Sequence, residues 1–266
     1  EMQSAAGKMQ RAAMTLPPGA ACLIVSIFTL MAGLRLPWHR RKVTKQARVD
    51  LLWMRFLLSL NMGKGYYSLA GFGSAPEVRS DASKSKKLTA GGYASRCGMY
   101  NWWKYGRNAA RHAIDYLEGD SALQCWREMG PSWYKKVVPH GIDNMAFERS
   151  AEKGRSKVER LNCLLREAFA LQVHGTFVVE TYWISTHDNV EPDLLSRDQE
   201  DKFLTTVYET GFWAPGTVPI RHGLAGTTRV LPEKRGELTL EDFAISNQEV
   251  DSKSRHPTSI HLRNAA

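Results

Sequence analysis

Between residues 77 and 197 the apolar positions change period in a fixed order, and that order limits what this chain can fold into more than any other feature. After Pro76 comes a short extended run over 77–83. Lys84, Ser85, Lys86 and Lys87 then read as a polar turn, and Tyr93, Tyr100, Trp102 and Trp103 mark two more strands. A three-stranded meander results. A helix over 113–129, a strand over 136–142 and a short helix after Asp143 follow. Val158, Leu161, Leu164, Leu165, Ala168 and Leu171 share one side of a helix over 157–173, with Gly175 just past its end. Residues 176–184, rich in β-branched and aromatic side chains, predict a further strand. Asn189 then caps a final short helix, whose early Pro192 removes no intrahelical donor. Strands first and alternating elements afterwards predict an α/β domain with a five-stranded mixed sheet flanked by helices.

Four acidic residues fall where such a domain could bring them to one mouth. Asp81 lies on the first strand, Glu118 inside the first helix, Asp143 just after the fourth strand and Asp193 after the fifth. A strand order that sets the first strand beside the fourth makes Asp81 and Asp143 neighbours, and a helix crossing the sheet adds Glu118. Converging carboxylates repel one another unless a cation is present. Oxygen ligands suit Mg2+ or Mn2+ rather than zinc. Two such ions about 4 Å apart can activate a water and stabilise the leaving oxygen in phosphodiester hydrolysis. Residue type alone leaves the ordinary alternative open, because an Asp at a strand end or helix start is commonly solvated or capping.

The charge distribution points to the partner. The formal net charge is +9, and residues 1–197 carry 28 Lys and Arg against 17 Asp and Glu, while the remainder carries 8 against 10. An excess confined to that part fits a polyanion, since Lys and Arg contacts to phosphate supply most non-specific nucleic-acid affinity; a solubilising surface is the alternative. Lys153, Arg155 and Lys157, between two helices, form a basic loop suited to backbone phosphates. Trp102 and Trp103 could flank a bound duplex, although at least one of two adjacent strand residues faces the core. Cys22, Cys97, Cys125 and Cys163 are widely spaced, which argues against a zinc knuckle or disulfide framework and for a reducing intracellular setting, cytoplasm or nucleus. The chain has no Tyr-x-Asp-Asp pair and no P-loop, so DNA synthesis by this chain alone is not expected.

The ends complete the organisation. Residues 1–40 hold an uncharged stretch over 12–34 that resembles a marginal membrane span. Pro17, Pro18 and the short apolar core count against a membrane helix, so a buried helix remaining from a preceding domain is expected. The first residue, Glu1, reads as the start of a fragment. Residues 41–75 begin with a basic amphipathic connection helix whose apolar face is expected at Val43, Ala47, Leu51, Met54 and Leu58. Residues 76–198 form the catalytic-type domain. Residues 199–266 hold scattered apolar side chains among Pro, Gly, Ser and charge, and predict a largely disordered tail.

Several phrases carry a family resemblance. Val78-Arg-Ser-Asp81-Ala-Ser, leading to Ala90-Gly-Gly-Tyr-Ala, looks like the first hairpin of ribonuclease H, and Tyr116-Leu-Glu118 looks like its first helix. Gly141-Ile-Asp143-Asn144-Met-Ala, Lys153-Gly-Arg155-Ser-Lys157, and Trp183-Ile-Ser-Thr-His187 with Asn189 and Asp193-Leu-Leu-Ser-Arg197 resemble the retroelement version. The resemblance covers roughly residues 77–197 and is most similar to reverse transcriptases of tyrosine-recombinase (DIRS-like) retrotransposons; the helix over 48–60 is similar to their connection to the polymerase. It implies a ribonuclease H-like fold that cleaves RNA in an RNA:DNA hybrid. It also implies two Mg2+ or Mn2+ ions held by Asp81, Glu118, Asp143 and Asp193, a product-releasing role for His187, substrate contacts at Asn144, Lys153, Arg155 and Lys157, and a polymerase partner. Pro192 and the Gly119-Asp120 pair depart from the family pattern, and Asp120 is expected to be a solvated surface acid. A catalytically inactive nucleic-acid-binding remnant is the alternative.

Overall fold

The computed structural model describes residues 2–16, 19–32, 34, 40–59, 71–223 and 227–231. Three helices come first, α1 (Met2–Thr15), α2 (Cys22–Met31) and α3 (Lys45–Ser59). They are followed by β1 (Gly73–Ser74), β2 (Val78–Lys84), β3 (Thr89–Ser95), β4 (Met99–Tyr105) and α4 (Ile114–Met129). Then come β5 (Lys136–Ile142), α5 (Met145–Lys153), α6 (Glu159–Gly175), β6 (Val178–Trp183) and α7 (Val190–Ser196). The chain continues through α8 (Glu200–Glu209), β7 (Ile220–Arg221) and β8 (Thr228–Arg229).

The sheet is mixed, with its five long strands in the order β6-β5-β2-β3-β4. β2, β3 and β4 form an antiparallel meander, while β5 runs parallel to β2 and β6 parallel to β5. The two-residue strands β1, β7 and β8 add to β5 and β4, enlarging the expected five strands to eight. Helices flank both faces. α4 is buried from Tyr116 to Leu123 because it lies between the sheet and α5 and α6. α7 covers the opposite face of β2 and β3.

The close fit of both helices on β3 comes from two consecutive glycines. A Cβ on Gly91 would stand 2.8 Å from the Trp103 ring and 3.1 Å from Ser121 Oγ on α4, and one on Gly92 would stand 2.7 Å from Leu195 Cβ on α7. Successive strand residues face opposite sides, so the pair thins the sheet on both faces at one level. A third close approach explains Gly119: a Cβ there would fall 2.6 Å from Phe147 and 2.7 Å from Leu164.

The N-terminal segment, expected as a remnant of a preceding domain, is packed into the α/β unit: α2 lies on α3 and on α6. Cys22, Leu23, Ile24, Trp53, Met54 and Leu57 join the same core as Phe147, Leu165 and Phe169. A buried ion pair pins the junction. Arg166 of α6 donates to both oxygens of Asp50 at 3.1 and 3.2 Å, and Ser26 Oγ and Gln46 Nε2 donate to the same carboxylate at 2.5 and 2.9 Å. A charge pair out of water is tolerable only when its remaining polar atoms are satisfied in this way. This pair also rotates α3: the buried side is Ala47, Asp50, Trp53, Met54 and Leu57, and the expected apolar positions Val43, Leu51 and Leu58 are exposed. No helix among the described residues is long and apolar enough to cross a membrane.

The expected disorder beyond residue 198 does not hold for the described part of that region. Phe203, Val207, Phe212 and Trp213 pack with Tyr100, Trp102, Leu194 and Leu195 in a second core on the α7 face. Trp213 Nε1 donates to the Ser95 carbonyl at 2.8 Å. Phe203 and Val207 share one face of α8, but Phe212 and Trp213 lie beyond its end and extend no period. Residues 232–266 lie outside the described residues. Trp102 and Trp103 are both buried, one on each face, so neither flanks a ligand. Asp120 is also fully buried, receiving the Tyr105 hydroxyl at 3.0 Å and the Arg229 guanidinium at 3.0 and 3.2 Å, rather than being a solvated acid.

Truncating a buried Trp that belongs to the domain leaves a cavity, whereas truncating one in a disordered tail costs nothing. Trp213→Ala is expected to lower the unfolding free energy by roughly 3 to 5 kcal/mol, measured by urea denaturation of the full chain; an unchanged midpoint would contradict the second core.

Candidate metal centre

The last residue pair in register between β2 and β5 is Ser80 with Ile142. Asp81 and Asp143 are the next residues on each chain, so the parallel ladder ends by setting two carboxylates side by side. Glu118, four residues into α4, comes down on them from the helix that crosses β2. One ligand oxygen from each of Asp81, Glu118 and Asp143 lies within 4.8 Å of the others. The three line a cleft of about 780 Å³ together with Lys84, Thr186, Asp193 and Arg197.

Burial and mutual repulsion disfavour charge on these acids. Burial raises Asp81 to about 7, with Asp143 and Asp193 adding to the rise and the Ser196 hydroxyl opposing it. Glu118 is pushed up to about 9 by burial and by Asp143 and Asp81, with the Asn144 side chain pulling it back. Asp143 is also raised by burial, against a hydrogen bond from Thr186 Oγ1 at 3.3 Å.

The donor set fits a hard divalent cation. Glu118 Oε2 and Asp143 Oδ1 are buried and have no hydrogen-bond partner, and an unsatisfied buried carboxylate oxygen is costly unless a cation meets it. Three carboxylates without His or Cys suit Mg2+ or Mn2+ chemistry. Asp193 lines the same cleft but lies outside the 4.8 Å group. Its carboxylate is held by Arg197 Nε at 2.8 and 2.9 Å.

Of the other expected site residues, Asn144 stays beside Glu118, and the rest lie outside the cleft lining. Asn144 caps α5, its Oδ1 accepting from Ala146 and Phe147 at 2.9 and 3.0 Å. His187 is exposed in the turn after β6 and does not line the cleft, whereas its neighbour Thr186 does. Lys153, Arg155 and Lys157 are exposed at the far end of α5, and nine helical residues rise about 13 Å from Asp143. Their loop is built against the turn between α1 and α2, since a Cβ on Gly154 would stand 2.8 Å from Gly19 Cα. Asn189 does not cap α7 through its side chain as expected; its Nδ2 donates to the Ser80 carbonyl at 3.2 Å.

Three positioning side chains escaped the sequence reading. Ser196 Oγ donates to Asp81 Oδ2, Thr186 holds Asp143, and Ser121 Oγ bridges the carbonyls of Asp81 and Gly92 at 2.7 and 3.2 Å. Helical spacing offered one signal: residues three and four after Asp193 share its face, and these are Ser196 and Arg197.

The unfolded chain ionises its carboxylates near pH 4, below the raised values of Asp81 and Glu118. The folded state therefore gains from these groups at low pH and loses that gain as pH rises through the interval up to about 9. A divalent cation that displaces the protons restores stability. The rise in Tm on adding Mg2+ or Mn2+ is expected to be larger near pH 8 than near about pH 5, read by differential scanning fluorimetry. Asp81→Asn should abolish the difference, and an equal rise at both pH values would count against the site.

No protein-family model and no curated protein sequence matches the chain. Among solved structures, it is similar to RNase H1 from the halophilic archaeon Halobacterium salinarum NRC-1, at 13% identity over 48% of this chain and 98% of that one, with a TM-score of 0.40. It is also similar to the N-terminal RNase H domain of rv2228c from Mycobacterium tuberculosis, solved as a fusion with maltose-binding protein, at 14% identity over 50% of this chain and 99% of that one, with a TM-score of 0.34.

Proposed function

We propose that the chain is a metal-dependent endonuclease of the ribonuclease H type, which cleaves the RNA strand of RNA:DNA hybrids. The observation that carries this reading is the Asp81, Glu118 and Asp143 group at the end of the β2–β5 ladder, with two buried oxygens lacking partners. Support comes from the strand order, which is the one that makes Asp81 and Asp143 neighbours, and from the ribonuclease H-like phrases around each acid.

Asp81, Glu118, Asp143 and Asp193 would hold two Mg2+ or Mn2+ ions, which when bound supply an activated water and neutralise the leaving oxygen. The chain's own residues prepare that arrangement. Ser196 fixes one oxygen of Asp81 and Thr186 one oxygen of Asp143, which leaves the second oxygen of each for a cation. Lys84 and Arg197, on the cleft wall, meet the phosphates on either side of the scissile bond. His187, exposed one residue from Thr186, would serve departing product. A duplex lying along α5 reaches Lys153, Arg155 and Lys157 about 13 Å away. In this reading the domain serves a retroelement reverse transcriptase, with the polymerase supplied by another segment or chain.

A second reading, a remnant that binds hybrids without cutting them, is favoured by one observation: Asp193 is occupied by Arg197 rather than turned to the other three acids. One assay separates the two. Full-length chain incubated with a labelled RNA:DNA hybrid is expected to shorten the RNA strand only when Mg2+ or Mn2+ is present, and Asp81→Asn or Asp143→Asn is expected to abolish cleavage while hybrid binding persists. Binding with no metal-dependent cleavage by the unsubstituted chain would decide for the remnant.

A further inference from the structure

Asp193 and Arg197 lie four residues apart across the last turn of α7, at the cleft. The guanidinium engages the carboxylate closely, Nε at 2.8 Å from Oδ1 and 2.9 Å from Oδ2, and Nη2 at 2.8 Å from Oδ1. An i,i+4 pair on a solvated helix face has no consequence beyond a small gain in helix stability. This pair differs because Asp193 has a rival partner. It lies near enough to Asp81 and Asp143 for its charge to disfavour theirs, and it faces the same cleft, yet its oxygens are turned to Arg197. Both oxygens are therefore engaged by one cation that belongs to the chain. Arg197 itself is more than half exposed, with its side chain at 55%, so a ligand entering the cleft can reach it.

We propose that Arg197 is a latch on the fourth carboxylate: it competes with the metal cluster for Asp193 and so weakens the second cation site until a substrate phosphate takes the guanidinium. The proposal rests on the reading of Asp81, Glu118 and Asp143 as divalent-cation ligands. Guanidinium binds phosphate with the same two-pronged geometry that it uses on a carboxylate, so a phosphodiester backbone entering the cleft is a direct competitor for it. The exchange is reciprocal: a phosphate that draws Arg197 away tightens the second cation, and the second cation tightens phosphate binding by the same factor. In substrate-free protein the Asp81, Glu118 and Asp143 site fills first and the Asp193 site lags. Arg197 is thus a positioning residue that acts through Asp193.

Calorimetric titration of the full chain with MnCl2 tests this without relying on turnover. Two binding events are expected, the weaker one missing in Asp193→Asn and the stronger one missing in Asp81→Asn. Arg197→Met removes the competing cation and should tighten the weaker event about two- to fivefold, and Arg197→Lys, which keeps the charge but not the fork, should fall between. A 2′-O-methyl RNA:DNA hybrid, which cannot be cut, should tighten the weaker event in the unsubstituted chain and leave it unchanged in Arg197→Met. The latch is overturned if Arg197→Met and Arg197→Lys leave the weaker event unchanged or weaken it, or if the hybrid acts equally on both forms, while the stronger event persists. Loss of no event in Asp81→Asn would instead overturn the nuclease reading on which the latch stands.

Discussion

Holding three carboxylates within 4.8 Å of one another is the constraint to which the rest of the molecule answers. Like charges at that distance in a half-buried cleft oppose the fold that gathers them, and burial compounds the opposition. The structure answers with stiffness in the backbone below them. The parallel pairing of β2 with β5 ends at Ser80 and Ile142, so Asp81 and Asp143 follow it at one level. The Ser121 hydroxyl ties α4 to the carbonyls of Asp81 and Gly92, which fixes the helix that delivers Glu118. Side chains supply the finer adjustments through Ser196 and Thr186.

Sequence reading carried the central part of this fold because period and turn chemistry are local properties. The meander, α4, β5 and α6 follow from alternation, helical spacing and the residues at their ends, and the neighbouring places of Asp81 and Asp143 follow once the strand order is given. What stayed hidden was set by contacts distant in the chain. The orientation of α3 depends on Arg166, more than a hundred residues away, which turns Asp50 inward and Leu51 and Leu58 outward. The fold of residues 200–213 depends on Trp213 finding Ser95 and Tyr100. Gly119 and Asp120 looked like blemishes in a helix; one makes room for Phe147 and Leu164, and the other is the buried partner of Tyr105 and Arg229.

The candidate site was legible to a different degree. The phrases around them singled out four acids, but only geometry separates three that converge from Asp193, whose oxygens are occupied by a neighbour one turn on. The basic loop at 153–157 stands apart from the acids. Its charge suggested contact with backbone phosphates, and because its backbone is committed to the turn at Gly19, its cations stand a helix length from the acids.

The glycine pair at 91 and 92 has a wider meaning for how this protein can vary. Because α4 and α7 meet β3 with almost nothing between them and the backbone, the spacing between the helix that carries Glu118 and the helix that carries Asp193 is set by the thickness of a bare peptide plane. Peptide dimensions do not drift with sequence as core side chains do. A single methyl group at either glycine would meet Ser121 of α4 or Leu195 of α7 and so bear directly on that separation. The molecule keeps its gauge in the one place where a side chain is absent.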